Sequence, residues 1–139
     1  MIHSVAITGA GISGLTAGCA LRKYGFEVDI FERSDSITEF GAGITLSRNA
    51  TSLLRHLDLY DELENYSYKP KGSYIRHYKS AKNIAYLDFT LDFLAADRRD
   101  VVKIFSERFV DMGGHLHLSQ TIESTDPERG KLFVSGGGV

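Results

Sequence analysis

The sequence predicts an α/β fold in which a strand–helix–strand unit opens a parallel sheet. Three observations carry this. A short apolar run, Val5-Ala6-Ile7, ends at a glycine turn. A stretch of helical spacing, Ile12 to Tyr24, follows it and stops at Gly25. A second run, Val28-Asp29-Ile30-Phe31, comes directly after. Strand, helix and strand fit within residues 2–31, about the minimum for such a unit. The crossover is expected to be right-handed.

Each element has its own warrant. Val5-Ala6-Ile7 is continuously apolar, as in a buried parallel strand. Gly25 is a natural C-terminal stop for the first helix. Residues 33–47 read as a loop with a glycine-rich segment, Gly41-Ala42-Gly43. Ala50, Leu53, Leu54 and Leu57 mark an amphipathic helix. Within 65–94, the alternation of Tyr74, Arg76 and Tyr78 with Ser73, Ile75 and His77 suggests a strand. Lys79 to Asn83 turns it back into Ile84 to Leu87. Asp97 is placed to cap a helix from Arg98 to Met112. Its buried stripe is Val101, Phe105, Phe109 and Met112, with Lys103, Glu107 and Asp111 facing water. Gly113-Gly114 stops it. His115 to Leu118 is a third parallel strand, and Thr121–Thr125 and Lys131–Ser135 form two more, joined through Asp126-Pro127-Glu128-Arg129-Gly130.

Composition narrows the function classes. The 139 residues are one domain's worth. Lys and Arg number 16 against 18 Asp and Glu, a formal net charge of −2, which lacks the basic bias of a nucleic-acid binder. One cysteine excludes a disulfide framework and a cysteine-built zinc site. Ser4 to Leu21 carries no charge, and Thr16-Ala17-Gly18-Cys19 faintly resembles a lipoprotein cleavage box. The stretch lacks both a basic start and an apolar block. No membrane span is expected, the location is expected to be cytoplasmic, and Cys19 reads as a small packing residue.

The chemistry lies in Gly9-Ala10-Gly11-Ile12-Ser13-Gly14, a G-x-G-x-x-G motif. It follows a strand, opens a helix and precedes a second strand ending in Glu32, which is the context that binds a dinucleotide. Gly9 permits the sharp turn. Gly11 has no β-carbon, so a pyrophosphate can approach the backbone. Gly14 lets the helix pack close to the strands. Gly18 lies one turn on and is expected to press against the sheet, offsetting the roughly 0.5–1 kcal/mol that a mid-helix glycine costs. The free amides and partial positive charge at the helix start, including those of Ile12 and Ser13, suit a diphosphate without any Lys or Arg. Glu32 is expected to accept hydrogen bonds from ribose hydroxyls and to repel a 2′-phosphate, disfavouring NADP there. Two other motifs fail on spacing. A P-loop needs Gly-Lys-Ser/Thr where Gly14-Leu15-Thr16 stands, and a nucleophile elbow needs glycine where Leu15 stands. The fold class is therefore a Rossmann-like FAD/NAD(P)-binding α/β fold, incomplete, with a small antiparallel β element.

The fingerprint alone serves FAD and NAD alike. From Val5 to about Leu59, however, the chain resembles the N-terminus of the flavin-dependent monooxygenases, the group that includes aromatic-ring hydroxylases of the salicylate and p-hydroxybenzoate type. The matching segments are Val5 to Leu15, Ile30-Phe31-Glu32-Arg33, Gly41-Ala42-Gly43-Ile44-Thr45-Leu46, and Asn49-Ala50 with Leu53 and Leu57. NAD dehydrogenases lack the third segment. In the flavin family it passes near the isoalloxazine, which implicates Ala42 and Gly43. Arg98-Arg99-Asp100-Val101 is similar to the family's Arg-x-Asp-Leu element, whose arginine lies near the flavin; Arg98 matches it. Arg33 is a candidate for adenine or an incoming nicotinamide cofactor, and equally a solvated cation. Thr8 and Arg48 depart from the family pattern, where an apolar residue and a proline are usual.

The resemblance implies FAD as cofactor, NAD(P)H as reductant in the complete enzyme, and hydroxylation of an aromatic or related small molecule. It implies no catalytic acid or base among these residues. The family's Asp-Gly and Gly-Asp cofactor segments do not occur before Gly136-Gly137-Gly138-Val139. Residues 1–139 are thus expected to be a partial FAD-binding domain, with about 65–95 beginning a substrate domain and without a complete active site. The Val5–Thr8 strand is expected to have an unpaired edge, which invites aggregation, self-association or a partner fragment. Alternatives are a non-catalytic dinucleotide-binding fragment or subunit, and, less favoured by Gly41-Ala42-Gly43, an NAD-linked dehydrogenase domain.

Other residues read as structural. His115 and His117 share a strand face but lack a third ligand, so no metal site is expected. For His3, His56 and His77 the sequence suggests no carboxylate or nucleophile to work with them. Tyr74, Tyr78 and Tyr86 read as half-buried sheet residues, with substrate lining as the alternative. Asp88, Asp92 and Asp97 lack acid–base spacing, and Asp58 to Glu64 reads as a solvated helix face.

Overall fold

A computed structural model describes residues 3–37, 41–89, 92–126 and 128–135. Along the chain they form β1 (Ser4–Thr8), α1 (Ile12–Lys23), β2 (Glu27–Phe31), β3 (Gly43–Leu46), α2 (Arg48–His56), α3 (Tyr60–Asn65), β4 (Ser67–Tyr68), β5 (Gly72–Arg76), β6 (Asn83–Asp88), β7 (Leu94–Asp97), α4 (Arg98–Asp111), β8 (His115–His117), β9 (Thr121–Asp126) and β10 (Lys131–Ser135). Pro127 and the closing Gly136-Gly137-Gly138-Val139 lie outside the described residues. The chain divides into two compact units, residues 1–40 with 101–139, and residues 41–100.

The first unit carries the expected parallel sheet, in the order β1-β2-β8. Val5 sits opposite Val28, Ile7 opposite Ile30 and Asp29 opposite His115. Among the described residues β1 is hydrogen-bonded to β2 alone, so it forms a sheet edge. Val28 and Ile30 are fully buried, together with Leu15 and Cys19 of α1 and Val101, Phe105 and Phe109 of α4. Val102 and Ile104 join the expected α4 stripe, whereas Met112 is only partly covered.

Both long helices stop as the glycines indicate. Gly25 and Gly113 take φ of +85° and +79°. The amides of Phe26 and Gly114 then bond back to Leu21 and Phe109 carbonyls at 3.1 and 2.9 Å, satisfying groups the helices leave open. Gly18 does meet the sheet: a β-carbon there would lie 2.9 Å from Ile30 Cδ1 and 2.8 Å from Phe109 Cε2. Its missing side chain is the space the Phe109 ring fills. Cys19 is a packing residue whose thiol faces the Phe105 carbonyl at 3.7 Å. Burial pushes that thiol up to about 11. β9 and β10 pair as an antiparallel hairpin with a bulge at Phe133/Val134.

The second unit departs further from expectation. The segment read as a loop to residue 47 contains β3, which pairs antiparallel with β7, and β4 joins the other side of β7. The expected β5–β6 hairpin is present, but its tyrosines are not half-buried. Tyr74 is 57%, Tyr78 85% and Tyr86 48% exposed. The α2 face also needs correction: Leu54 and Leu57 are buried, but Leu53 is exposed and Thr51 takes the inner position. Leu59, Tyr60 and Leu63 complete this small core, so the Asp58–Glu64 stretch is solvated on one side only.

Asp97 caps α4 as its position predicts. Its Oδ1 accepts the Arg99 amide at 2.9 Å, and its carboxylate meets the Arg99 side chain at 2.6 Å. The Arg99 guanidinium and amide together hold this carboxyl down at about 2. A depressed folded-state value stabilises the fold above the unfolded carboxyl's pKa of about 3.9 and loses that contribution as pH falls towards the folded value. Asp97→Ala is therefore expected to melt below the parent at neutral pH. The gap should close as thermal melts are repeated down towards pH 2. A gap independent of pH would contradict the cap.

Candidate dinucleotide-binding site

The glycine motif spans the end of β1 and the start of α1. Gly9 leaves the strand with φ +90°, a conformation that L side chains rarely adopt, and its amide donates to the Phe31 carbonyl of β2 at 2.8 Å. Gly11 precedes the helix with φ −76° and ψ 179°, ordinary extended backbone. What glycine provides at position 11 is therefore the missing side chain. Gly14 is a close approach: a β-carbon there would fall 2.0 Å from the Gly9 carbonyl oxygen and 3.4 Å from Ile7 Cγ2. Helix and turn can touch only if residue 14 is glycine.

Among the described residues no side chain bonds to the opening of α1. The helix has no side-chain cap and no acidic residue in its first turn. Its first amides, those of Ile12, Ser13 and Gly14, belong to the group that has no intrahelical acceptor. They present donors and a partial positive charge, the requirements of a diphosphate.

Glu32 stands at the tip of β2 and reaches into this loop. Its Oε2 accepts the Ala10 amide at 2.8 Å, and its Oε1 accepts the Ser34 amide at 2.9 Å. Partial burial pushes the carboxyl up, but the Ser34 and Ala10 amides outweigh it, with Arg33 nearby, and the net shift is downward. Glu32 is thus a fixed, ionised acceptor beside the glycine loop. The strand tip is tied down further: the Glu32 amide donates to His117 at 2.8 Å, and Gln120 and Ser119 amides donate to Glu32 and Ser34 carbonyls at 2.9 Å each. Arg33 is exposed in the same turn.

In the second unit the structure brings two other sequence candidates together. A β-carbon on Gly41 would lie 3.2 Å from Arg98 Cβ and 3.6 Å from its Cδ, so the arginine stem runs along the glycine segment. Gly43 pairs with Asp97, immediately before Arg98, and Ala42 is exposed between them.

One polar cluster escaped sequence reading. Asp29 Oδ1 lies 2.7 Å from His117 Nε2 and 3.4 Å from His115 Nδ1, and the His117 ring stacks on Phe31 at 4.7 Å. The signal was there in principle, because in-register parallel strands put Asp29 and His115 side by side. Among the described residues no group of three or more His, Cys, Asp or Glu side chains is arranged to hold a metal, and no helix is long and apolar enough to cross a membrane.

Comparison with known proteins agrees with this geometry. Residues 7–38 match the NAD(P)-binding Rossmann-like domain family, covering the glycine motif and Glu32 together. An FAD-dependent monooxygenase, pytG, of Aspergillus terreus is 40% identical over 88 residues, spanning 63% of this chain and 26% of that protein. The 6-hydroxynicotinate 3-monooxygenase of Pseudomonas fluorescens is 27% identical over 115 residues, spanning 77% of this chain and 30% of its own length. Over the shares these alignments cover, the chain is similar to flavin-dependent monooxygenases. A crystal structure of 2-methyl-3-hydroxypyridine-5-carboxylic acid oxygenase superposes on 99% of this chain with a TM-score of 0.87 at 26% identity. The match covers 37% of that structure. The chain thus spans roughly a quarter to a third of the monooxygenases it resembles, and its fold is the Rossmann-like α/β fold with small antiparallel sheets.

Proposed function

We propose that this chain binds FAD through the ADP half of the cofactor, as part of a flavin-dependent monooxygenase. The observation that carries the reading is the Glu32 carboxylate fixed on the Ala10 amide at 2.8 Å, inside the glycine motif itself. An acid held there accepts ribose hydroxyls, while the Ile12, Ser13 and Gly14 amides hold the diphosphate that Gly9 and Gly11 leave room for. Arg33 flanks the adenosine end, and by resemblance Ala42, Gly43 and Arg98 serve the flavin end. When bound, FAD supplies the redox chemistry, with NAD(P)H as reductant and oxygen as co-substrate. The chain's own part is to bind and orient the cofactor. The proposed substrate is a small aromatic molecule, in line with relatives such as 6-hydroxynicotinate 3-monooxygenase. Residues 65–95 are proposed as the start of the substrate domain, the site of action as the cytoplasm, and the open β1 edge as the place where a partner segment pairs.

The test is titration of the purified chain with FAD, followed by the flavin's visible and fluorescence spectra, with ADP as competitor. Saturable binding that ADP displaces is expected. Glu32→Gln removes a charged acceptor and should weaken binding about tenfold or more. Because Glu32 is held below the usual carboxylate range, affinity should persist across neutral pH and fall only under acid conditions. A chain that leaves the flavin spectrum unchanged would overturn the proposal.

A further inference from the structure

The proposed nucleotide contacts include nothing from the β5–β6 hairpin of the second unit. Every residue from Ser73 to Asp88 is exposed, on both faces of the hairpin. We infer that this hairpin docks on an anionic lipid surface, with its tip inserted to headgroup depth.

Charge singles the hairpin out. Residues 70–87 hold four cations, Lys71, Arg76, Lys79 and Lys82, and no acid. The chain as a whole has a formal net charge of −2, so the remainder is acidic. A surface of anionic headgroups therefore attracts the hairpin and repels the rest of the chain. Arg76 pairs with Asn83 in the last rung of the ladder, and the turn between them carries Lys79 and Lys82. Three of the four cations thus gather at the tip.

The apolar groups select a lipid surface among anionic partners. Tyr74 stands opposite Tyr86, with ring centroids 4.8 Å apart. Ile84 lies two residues before Tyr86, on the same face, and is 65% exposed. Ile75 and Leu87 are exposed on the opposite face. A rigid partner, protein or nucleic acid, covers one face of a two-stranded ribbon and leaves the other wet. A lipid interface is fluid and closes round both. At headgroup depth water still reaches the open strand edges, which the hydrocarbon core would leave unsatisfied.

The tip is shaped before any surface arrives. The His77 amide donates to the Lys82 carbonyl and the Ala81 amide to the His77 carbonyl, at 2.9 Å each. The Ser80 hydroxyl lies 3.0 Å from His77 Nδ1. This closed turn leaves Tyr78 the most open of the hairpin's large side chains, with the Lys79 ammonium 5.5 Å from its ring centre. An aromatic ring beside a lysine suits the bilayer interface: the ring sits among the headgroups while the ammonium meets phosphates.

Flotation of the full chain with vesicles tests this, because self-associated chain does not rise with lipid. The chain is expected to float with mixed phosphatidylcholine–phosphatidylserine vesicles and to stay behind with phosphatidylcholine alone. The sequence contains no tryptophan, so Tyr78→Trp supplies a single reporter whose emission should shift to the blue on the mixed vesicles. Each cation near the surface contributes about fivefold in partition, so Lys79→Gln combined with Lys82→Gln should lower it about twentyfold. Ile84→Ser should lower it about fivefold through lost apolar burial. Lys103→Gln, which removes an exposed cation on α4, should change it less than about twofold. All these positions are exposed, and the variants should retain the parent's melting temperature. Equal flotation with both vesicle types, undiminished flotation of the double lysine variant or of Ile84→Ser, or an unshifted tryptophan emission would overturn the inference. Release of the vesicle-bound chain by single-stranded RNA would reassign the patch to nucleic acid and overturn it as well.

Discussion

Replacing Gly11 by valine is expected to abolish FAD and ADP binding while the chain stays folded. The backbone at Gly11 is extended, with φ −76°, so valine fits it without strain. Losing glycine at the helix start costs at most about 1 kcal/mol. The branched side chain would instead stand over the first amides of α1, where the diphosphate belongs. Gly14→Ala provides the contrast. Its β-carbon would meet the Gly9 carbonyl oxygen at 2.0 Å, so α1 must lift from its seat. Overpacking of that kind costs about 1–3 kcal/mol. Thermal melts and FAD titrations on both variants separate the two roles: Gly11 for the ligand, Gly14 for the fold. Undiminished FAD affinity in Gly11→Val would sink the mechanism.

Phe109→Ala is expected to be the most destabilising single change in the first unit. The side chain is fully buried between α1, β2 and the turn after α4. Truncation removes its burial and leaves a cavity whose walls are backbone at Gly18 and Gly114, which collapse poorly. Phe→Ala at such sites costs about 3–5 kcal/mol, much of a small domain's total stability. Urea unfolding of parent and variant measures it. A loss below about 1 kcal/mol would mean that this ring does not organise the core.

The parts of the fold that local chemistry dictates were legible in the sequence. Gly25 and Gly113 stop helices because the chain must turn left-handed there, and Asp97 caps because its carboxylate reaches the Arg99 amide in the first turn of α4. The parallel strands were legible as apolar runs. The site was legible to the extent that glycines and one acid at fixed spacing define it. What escaped depends on distant partners. β7 reads Leu-Ala-Ala-Asp, with no β-branched residue, and becomes a strand only because Gly43–Leu46 and Ser67–Tyr68 flank it. The β5–β6 tyrosines alternate as a half-covered strand would, yet alternation states which residues share a face, not whether anything covers it. Asp29 and His117, 88 positions apart, meet only through strand register.

The Phe109 ring also carries a consequence for descent. A β-carbon on Gly114 would lie 2.2 Å from Phe109 Cζ, and one on Gly18 would lie 2.8 Å from Cε2. Three positions, spread over nearly a hundred residues, therefore share one volume. None of them can drift alone: a larger residue at 18 or 114 is tolerated only after 109 has shrunk, and a smaller 109 leaves a void until one of the others grows. Homologous chains should show these positions changing in concert, with bulk conserved across the trio rather than at any one of them.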